Sequence, residues 1–349
     1  MEIQIPSLLR IKPNALYKVG KYLRKNGFHR VAVVYGDGIR DLVGQSLDIS
    51  LDSSEIRVVT EETVTSNEVE AVVAAAFRLS RDTEAIVAVG GGVAIDYGKY
   101  MGFLTRLPVI AVPTAVSNDG FGSPGASLVV DGRKTSCRAS IPYGVVIDTT
   151  IIARSPAHLT LSGIGDLLSK YSAVADWKRS YHATGEAVND FAVMIALQSV
   201  ENVVLHPHTS LQDDEFLQLV CGALVMSGVA MEVSGSSRPA SGSEHLISHA
   251  YDRLASTRSL HGVQVGVACV ATMWAQGNPH RDTVLRVLDE TGFHAWVVAN
   301  PLEREAFVAA VRAAPSVRPG YHTVLSEPDM DDRLVEHLRD DPYYVDVLV

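Results

Sequence analysis

Ala85-Ile-Val-Ala-Val-Gly-Gly-Gly-Val-Ala-Ile-Asp-Tyr-Gly-Lys99 begins with five apolar residues, breaks on three glycines and resumes with a helical pattern. A short β-branched run ended by glycine reads as a buried parallel strand, and the glycines as the turn into the next helix. Backbone without Cβ lets a pyrophosphate approach closely, and a helix N-terminus offers free N–H groups and a partial positive charge. Gly90, Gly91 and Gly92 are therefore candidate phosphate ligands. G-x-G-x-x-G is absent, and the run falls on the third or fourth strand rather than the first, so a plain tight turn is the competing reading.

The same texture fills the first half of the chain. Residues 31–35, 55–59, 108–112 and 144–148 are further β-branched runs, with helical patterns such as 66–79 between them. This alternation predicts an α/β domain with an open, Rossmann-like parallel sheet. After Pro156 come long apolar-periodic segments at 167–179, 185–205, 214–231 and 262–276, which predict an all-α domain. The expected domains are 1–152 and 153–349. Open sheets bind ligands beyond the carboxyl ends of their strands, so the active site is expected in the cleft between the halves. Past one of those strand ends lies Pro113-Thr-Ala-Val-Ser-Asn-Asp-Gly120. Thr114 and Ser117 are short hydroxyl donors there and Asp119 an acceptor for a substrate hydroxyl; Asx and hydroxyl turns account for the same residues. Asp37, after the first strand, reads either as a ribose ligand that favours NAD over NADP or as a turn residue.

Composition bounds the partners. The chain has 349 residues, 47% of them hydrophobic and 20% charged, and a formal net charge of -10. That balance argues against nucleic acid and anionic membrane as partners and leaves a small molecule. Cys137, Cys221 and Cys269 form no C-x-x-C pair, so neither a disulfide framework nor a thiolate zinc site is implied, and a reducing cytoplasm is expected. Met1-Glu-Ile-Gln-Ile-Pro6 lacks the basic start and apolar run of a signal peptide. No apolar stretch is expected to reach the ~18 residues of a membrane span. A homo-oligomer is the expectation for an acidic enzyme of this size.

The chemistry concentrates further along. His245 and His249 stand four residues apart in Ser243-Glu-His-Leu-Ile-Ser-His249, which puts both on one helix face. His261 follows in His261-Gly262, and Asp166 lies upstream in Gly165-Asp-Leu-Leu-Ser-Lys170. One acid and several histidines can hold a divalent metal.

Taken together these segments resemble the sn-glycerol-1-phosphate dehydrogenase family, within the superfamily of glycerol dehydrogenase, iron-containing alcohol dehydrogenase and dehydroquinate synthase. The resemblance runs through Val89-Gly-Gly-Gly92, Ile95-Asp96, Val112-Pro-Thr114, Asp119-Gly120, Ser123-Pro124, Gly163-Ile-Gly-Asp166, Lys170-Tyr171, Asp176-Trp177, Ser248-His249 and Leu260-His-Gly262. Its most specific part is Arg238-Pro-Ala-Ser-Gly-Ser-Glu-His245. The family's fold is an α/β dinucleotide domain followed by a helical metal- and substrate-binding domain. The resemblance implies that Gly92, Val93, Ala94, Ile95, Asp96, Thr114, Ala115, Val116, Ser117 and Ser123 contact NAD or NADP. Asp166, His245 and His261 would bind one divalent metal, Zn2+ first and Ni2+ or Fe2+ as alternatives. Asp119, Asp166 and His249 would contact substrate and take part in catalysis.

The implied reaction is reversible reduction of dihydroxyacetone phosphate to sn-glycerol 1-phosphate, in phospholipid biosynthesis. The alternative keeps the hydride chemistry on glycerol, another polyol or a ketose. Iron-type relatives carry a histidine four residues beyond the ligand aspartate, where this chain has Lys170, and the resemblance thus implies three protein ligands. Lys170 has three readings: neutralising Asp166, reaching an anionic substrate, or standing as a solvated partner. Dehydroquinate synthase has a glutamate in place of Asp166. Two departures from the family pattern, Asn118 before Asp119 and Phe121-Gly122 after it, bear on substrate choice.

Overall fold

The computed structural model describes residues 3–349 and divides into two compact units, Met1–Ser155 and Pro156–Val349. The first alternates β1 (Leu8–Lys12), α1 (Val19–Lys25), β2 (Arg30–Gly36), α2 (Ile39–Asp52), β3 (Arg57–Val64), α3 (Val69–Arg78), β4 (Ala85–Gly90), α4 (Gly92–Thr105) and β5 (Val109–Pro113). It continues with β6 (Gly125–Val130), β7 (Arg133–Arg138), β8 (Gly144–Asp148) and α5 (Thr149–Arg154). Six strands form one parallel sheet in the order β1-β8-β5-β4-β2-β3, while β6 and β7 pair as a separate antiparallel hairpin. In the centre, Val31 faces Ala85 and Tyr35 faces Val89. β4, β5 and β8 are buried along their whole length, as helices on both faces of a parallel sheet require.

Chain order reverses between β2 and β4, because β3 lies outside β2 whereas β5 and β8 continue beyond β4. Such a reversal opens a crevice at the carboxyl ends of the two strands, which here are Gly36-Asp37 and Gly90. Three features depart from the sequence expectations. β1 and the β6–β7 hairpin were not legible, since β1 buries only Leu8 fully and β7 is almost wholly exposed. The strand expected at 55–59 starts at Arg57 and runs on to Val64, because Glu55 turns with φ +55° after α2.

The second unit contains α6 (Ala157–Leu168), α7 (Lys170–Thr184), α8 (Asp190–Val204), α9 (Asp214–Ser234), α10 (Ser243–Leu254) and α11 (His261–Gln276). Five more helices follow: α12 (Arg281–Glu290), α13 (Phe293–Ala299), α14 (Arg304–Val317), α15 (Met330–Asp340) and α16 (Pro342–Val347). The segment 167–179, expected as one helix, divides at Ser169. There the Asp166 carbonyl accepts from the side chains of Ser169 (Oγ, 2.6 Å) and Lys170 (Nζ, 2.8 Å). α9 corrects the expectation that no segment matches a membrane span: its 21 residues are long and apolar enough by length and composition. Its Phe216, Leu217, Val220 and Leu224 are buried within the unit, the pattern of a core helix.

Asp166 and His261 are brought together by glycine. A Cβ at Gly165 would run into the Gly262 carbonyl and the Phe293 ring, and one at Gly262 would run into the Ser162 carbonyl. α6 and α11 therefore touch backbone to backbone, directly beside both side chains. Gly165→Val should lower the unfolding free energy in urea by ~1–3 kcal/mol through overpacking. Unchanged stability would show that the close approach is dispensable.

Candidate active site

Asp166 lies in the last turn of α6, His245 in the first turn of α10, and His261 opens α11. One potential ligand atom from each lies within 4.8 Å of the other two. Asp166 Oδ1 stands 3.3 Å from His245 Nε2, and the His245 and His261 rings are 5.2 Å apart. His249 shares the helix with His245 but is exposed, its ring 6.4 Å from that of His245 and 5.7 Å from that of His261. Equal helical spacing thus separates one histidine inside the acid–imidazole cluster from one at its solvent side.

Lys170 is fully buried, and its Nζ lies 3.2 Å from Asp166 Oδ1. Of its three readings, the solvated partner is excluded and the neutralising one describes the contact. Burial works to raise the Asp166 carboxyl, but the Lys170 ammonium, the His245 hydrogen bond and the two imidazoles outweigh it and hold the acid well below the usual range.

Glu244 was not singled out from the sequence. It is completely buried; Oε1 accepts from Gly242 N–H at 2.6 Å and lies 2.9 Å from His245 Nδ1, and Oε2 accepts from Ser172 Oγ at 2.7 Å. The carboxylate holds Nδ1 as the protonated nitrogen and turns Nε2 towards Asp166, the arrangement seen around metal-ligating histidines. Burial works against charge on His245, but its bonds to Asp166 and Glu244 push the imidazole up to about 9. Asp176, also buried, accepts from Ser243 N–H (2.8 Å), Ser243 Oγ (2.5 Å) and Val324 N–H (2.8 Å), and so caps α10 from α7. Burial, then Glu244, push Asp176 up to about 6 against these hydrogen bonds.

Arg238, in the most specific part of the sequence pattern, is a structural anchor. It donates to both Glu186 oxygens and to the His322 carbonyl, and lies over the Tyr321 ring at 3.5 Å. Gly242 and Glu244 follow within six residues, so the anchor fixes the entry to α10.

In the first unit the glycine turn is built as a cradle. Gly90 has φ +146°, and a Cβ there would press on Ala94 and Gly36. At Gly91 and Gly92 nothing among the described residues lies within 4 Å of where a Cβ would stand. Among the described residues no side chain caps α4, whose start is marked by the bond from Ile95 N–H to the Gly91 carbonyl. The open backbone and uncapped helix end fit a phosphate group. Val93 is exposed, whereas Ala94 and Ile95 turn into the core and offer backbone alone. Thr114 is buried beside the cradle, its N–H bonded to the Gly90 carbonyl at 3.0 Å, and Val116 is buried with it. Ala115, Ser117 and Asp119 are half-buried. Asn118 accepts from Gly120 N–H at 2.8 Å and caps the short turn that carries Asp119.

Lys99, missed in the sequence, organises this loop. It is fully buried and donates to the carbonyls of Gly120 (2.5 Å) and Gly125 and to Ser123 Oγ (3.3 Å). Asp96 lies 3.7 Å from its ammonium and accepts from Ser127 N–H at 3.1 Å. Burial pushes the Asp96 carboxyl up to about 6 against the pull of Lys99, and burial lowers Lys99 itself. The signal was the spacing of three between Asp96 and Lys99, which places both on one helix face.

Comparison with known proteins agrees with this architecture. The family model for iron-containing alcohol dehydrogenase matches residues 10–156. The glycerol-1-phosphate dehydrogenase (NAD(P)+) of Methanosphaerula palustris is 34% identical over 337 residues, 93% of this chain and 89% of that one. The enzyme of the same name from Staphylothermus marinus is 32% identical over 340 residues, 95% and 94% of the two chains. Glycerol dehydrogenase from Schizosaccharomyces pombe has the same fold, with a TM-score of 0.78 at 18% identity over 99% of this chain and 91% of that one. With that identity sustained over nearly the whole length of both curated relatives, the chain belongs to the glycerol-1-phosphate dehydrogenase family.

Proposed function

We propose that this protein catalyses the reversible NAD(P)H-linked reduction of dihydroxyacetone phosphate to sn-glycerol 1-phosphate, with a divalent cation held by Asp166, His245 and His261. The observation that carries the reading is the convergence of one carboxylate and two imidazoles within 4.8 Å, in a member of this family. A carboxylate with two imidazoles suits Zn2+, and accommodates Ni2+ or Fe2+ by ligand type. Bound, the cation would supply Lewis acidity at the ketone oxygen and the nicotinamide would supply hydride.

The chain's own residues have separate tasks. Asp166 stays anionic beside Lys170, and Glu244 keeps His245 in the tautomer whose Nε2 is a donor to metal. His249 is the proposed proton donor in reduction, and Asp119 the proposed acceptor for a substrate hydroxyl. Gly90, Gly91 and Gly92 with residues 93–96, 114–117 and Ser123 are the proposed dinucleotide ligands, the first three through backbone N–H groups. NAD is the preferred form in this proposal. Asp37 is exposed at the β2 turn, and the nearby Arg40, which could otherwise meet a 2′-phosphate, is engaged with Asp48 (2.7 Å) and Glu61 (3.1 Å). The three free cysteines accord with a cytoplasmic enzyme. A homo-oligomer completes the proposal and is checked by sedimentation.

Zinc-loaded protein should oxidise NADH with dihydroxyacetone phosphate far more efficiently, by kcat/KM, than with dihydroxyacetone. Equal efficiency would move the substrate to unphosphorylated polyols. His261→Ala should lose both metal and turnover; an active, metal-loaded variant would sink the ligand assignment. Lys170→Met strands the Asp166 carboxylate, and in chelator it should cost about 3–5 kcal/mol in urea unfolding. Zinc should restore part of that loss, whereas a variant as stable as the parent would show that the lysine does not neutralise the acid.

A further inference from the structure

Glu244 accounts for how His245 presents its Nε2, and at His261 a hydroxyl stands at the corresponding nitrogen. The His261 Nδ1 lies 3.1 Å from Ser248 Oγ. A serine hydroxyl carries one proton and can either give it to an imidazole or accept from one. Which it does decides the tautomer, and so which nitrogen of His261 has a free lone pair.

The next contact resolves the ambiguity. Ser248 Oγ lies 2.6 Å from Gln264 Oε1. The orientation of that amide is set by its other end, because Gln264 Nε2 stands 2.8 Å from Asp252 Oδ1, 3.3 Å from the Ser259 carbonyl and 2.9 Å from Ser259 Oγ. A carboxylate and a carbonyl only accept, so the nitrogen of the amide must face them and its oxygen must face Ser248. The single hydroxyl proton of Ser248 is thereby committed to Gln264, leaving only its lone pairs for His261. Ser248 and Gln264 are buried, at 0% and 1% exposure, so bulk water does not compete for the contact.

We infer that Ser248 and Gln264 act together as a tautomer clamp on His261: they hold Nδ1 as the N–H donor and present Nε2 to the metal. The inference rests on the proposed metal site. It makes both residues positioning residues, and gives the two histidine ligands the same exposed nitrogen by different means, an acid for His245 and a polarised hydroxyl for His261.

The test is zinc affinity, read by chelator competition, together with 15N chemical shifts of the histidine rings in the zinc-loaded protein. The wild type should show His261 ligated through Nε2 with Nδ1 protonated. Ser248→Ala, which removes the acceptor, and Gln264→Leu, which frees the hydroxyl proton to reach Nδ1, should each weaken zinc binding by about 10- to 100-fold, whereas Gln264→Glu should stay within about threefold of wild type. Gln264→Glu separates positioning from packing. It keeps the acceptor for Ser248 while setting a carboxylate against Asp252, so a merely structural role would make it the worse substitution. Ligation of His261 through Nδ1, wild-type affinity in Ser248→Ala, or equal losses in Gln264→Glu and Gln264→Leu would each overturn the clamp. A wild-type protein that takes up no zinc would instead remove the metal reading beneath it.

Discussion

The second unit depends on a carboxylate that water barely reaches. Asp166 is 1% exposed, and an isolated anion in such a place would cost several kcal/mol before any partner was counted. Lys170 supplies the compensating charge only because it sits one helical turn away, across the break between α6 and α7. The break and the ion pair are one structural event: the Asp166 carbonyl takes side-chain donors, and the lysine that supplies one of them also neutralises the carboxylate. Around that pair, Gly165 and Gly262 let α11 approach until its first residue reaches the acid.

The first unit solves a different problem, how to leave backbone open without leaving it loose. Gly90, Gly91 and Gly92 provide the opening, and Lys99 provides the restraint. Its ammonium gathers two carbonyls and a hydroxyl from the loop that follows β5, tying that loop to α4. A buried lysine is costly unless its donors are met, and here the loop's own carbonyls meet them. The candidate substrate acid, Asp119, therefore rides on a turn that is fixed from beneath by Lys99 and from within by Asn118.

What the sequence made legible follows from what is local. β2, β4, β5 and β8 were readable because both faces are buried and the apolar run is continuous; β1, β6 and β7 were not, because edge strands and exposed hairpins have no such run. Asp166, His245 and His261 were readable as residue types in a family pattern. Their supports were not. Ser172 and Glu244 are 72 residues apart, and Asp176 and Ser243 are 67 apart, so the hydrogen bonds joining them have no sequence period to betray them. Lys170 lay at a readable spacing, yet spacing alone could not say whether it was solvated. Burial decided that, and burial is a property of the packed unit.

The buried charges give a separate argument for what the cluster holds. Asp166, Asp176 and Glu244 are all buried around α10, and the buried Lys170 pairs with the first of them. Arg238 is buried too, but its charge is met by Glu186. Asp176 accepts from Ser243 N–H, Ser243 Oγ and Val324 N–H, three hydrogen bonds that favour its ionised form against the upward push of burial. With all three acids charged and one lysine opposing them, two negative charges are left over, and low-dielectric surroundings make such an excess expensive. Without metal, the imidazolium at His245, pushed up to about 9 by its bonds to Asp166 and Glu244, offsets one of them with its Nε2 protonated. A divalent cation would remove both and leave each histidine neutral, the form in which imidazole binds metal. On this count the acids beyond Asp166 are part of the proposed metal site, because they set the charge that a cation has to balance.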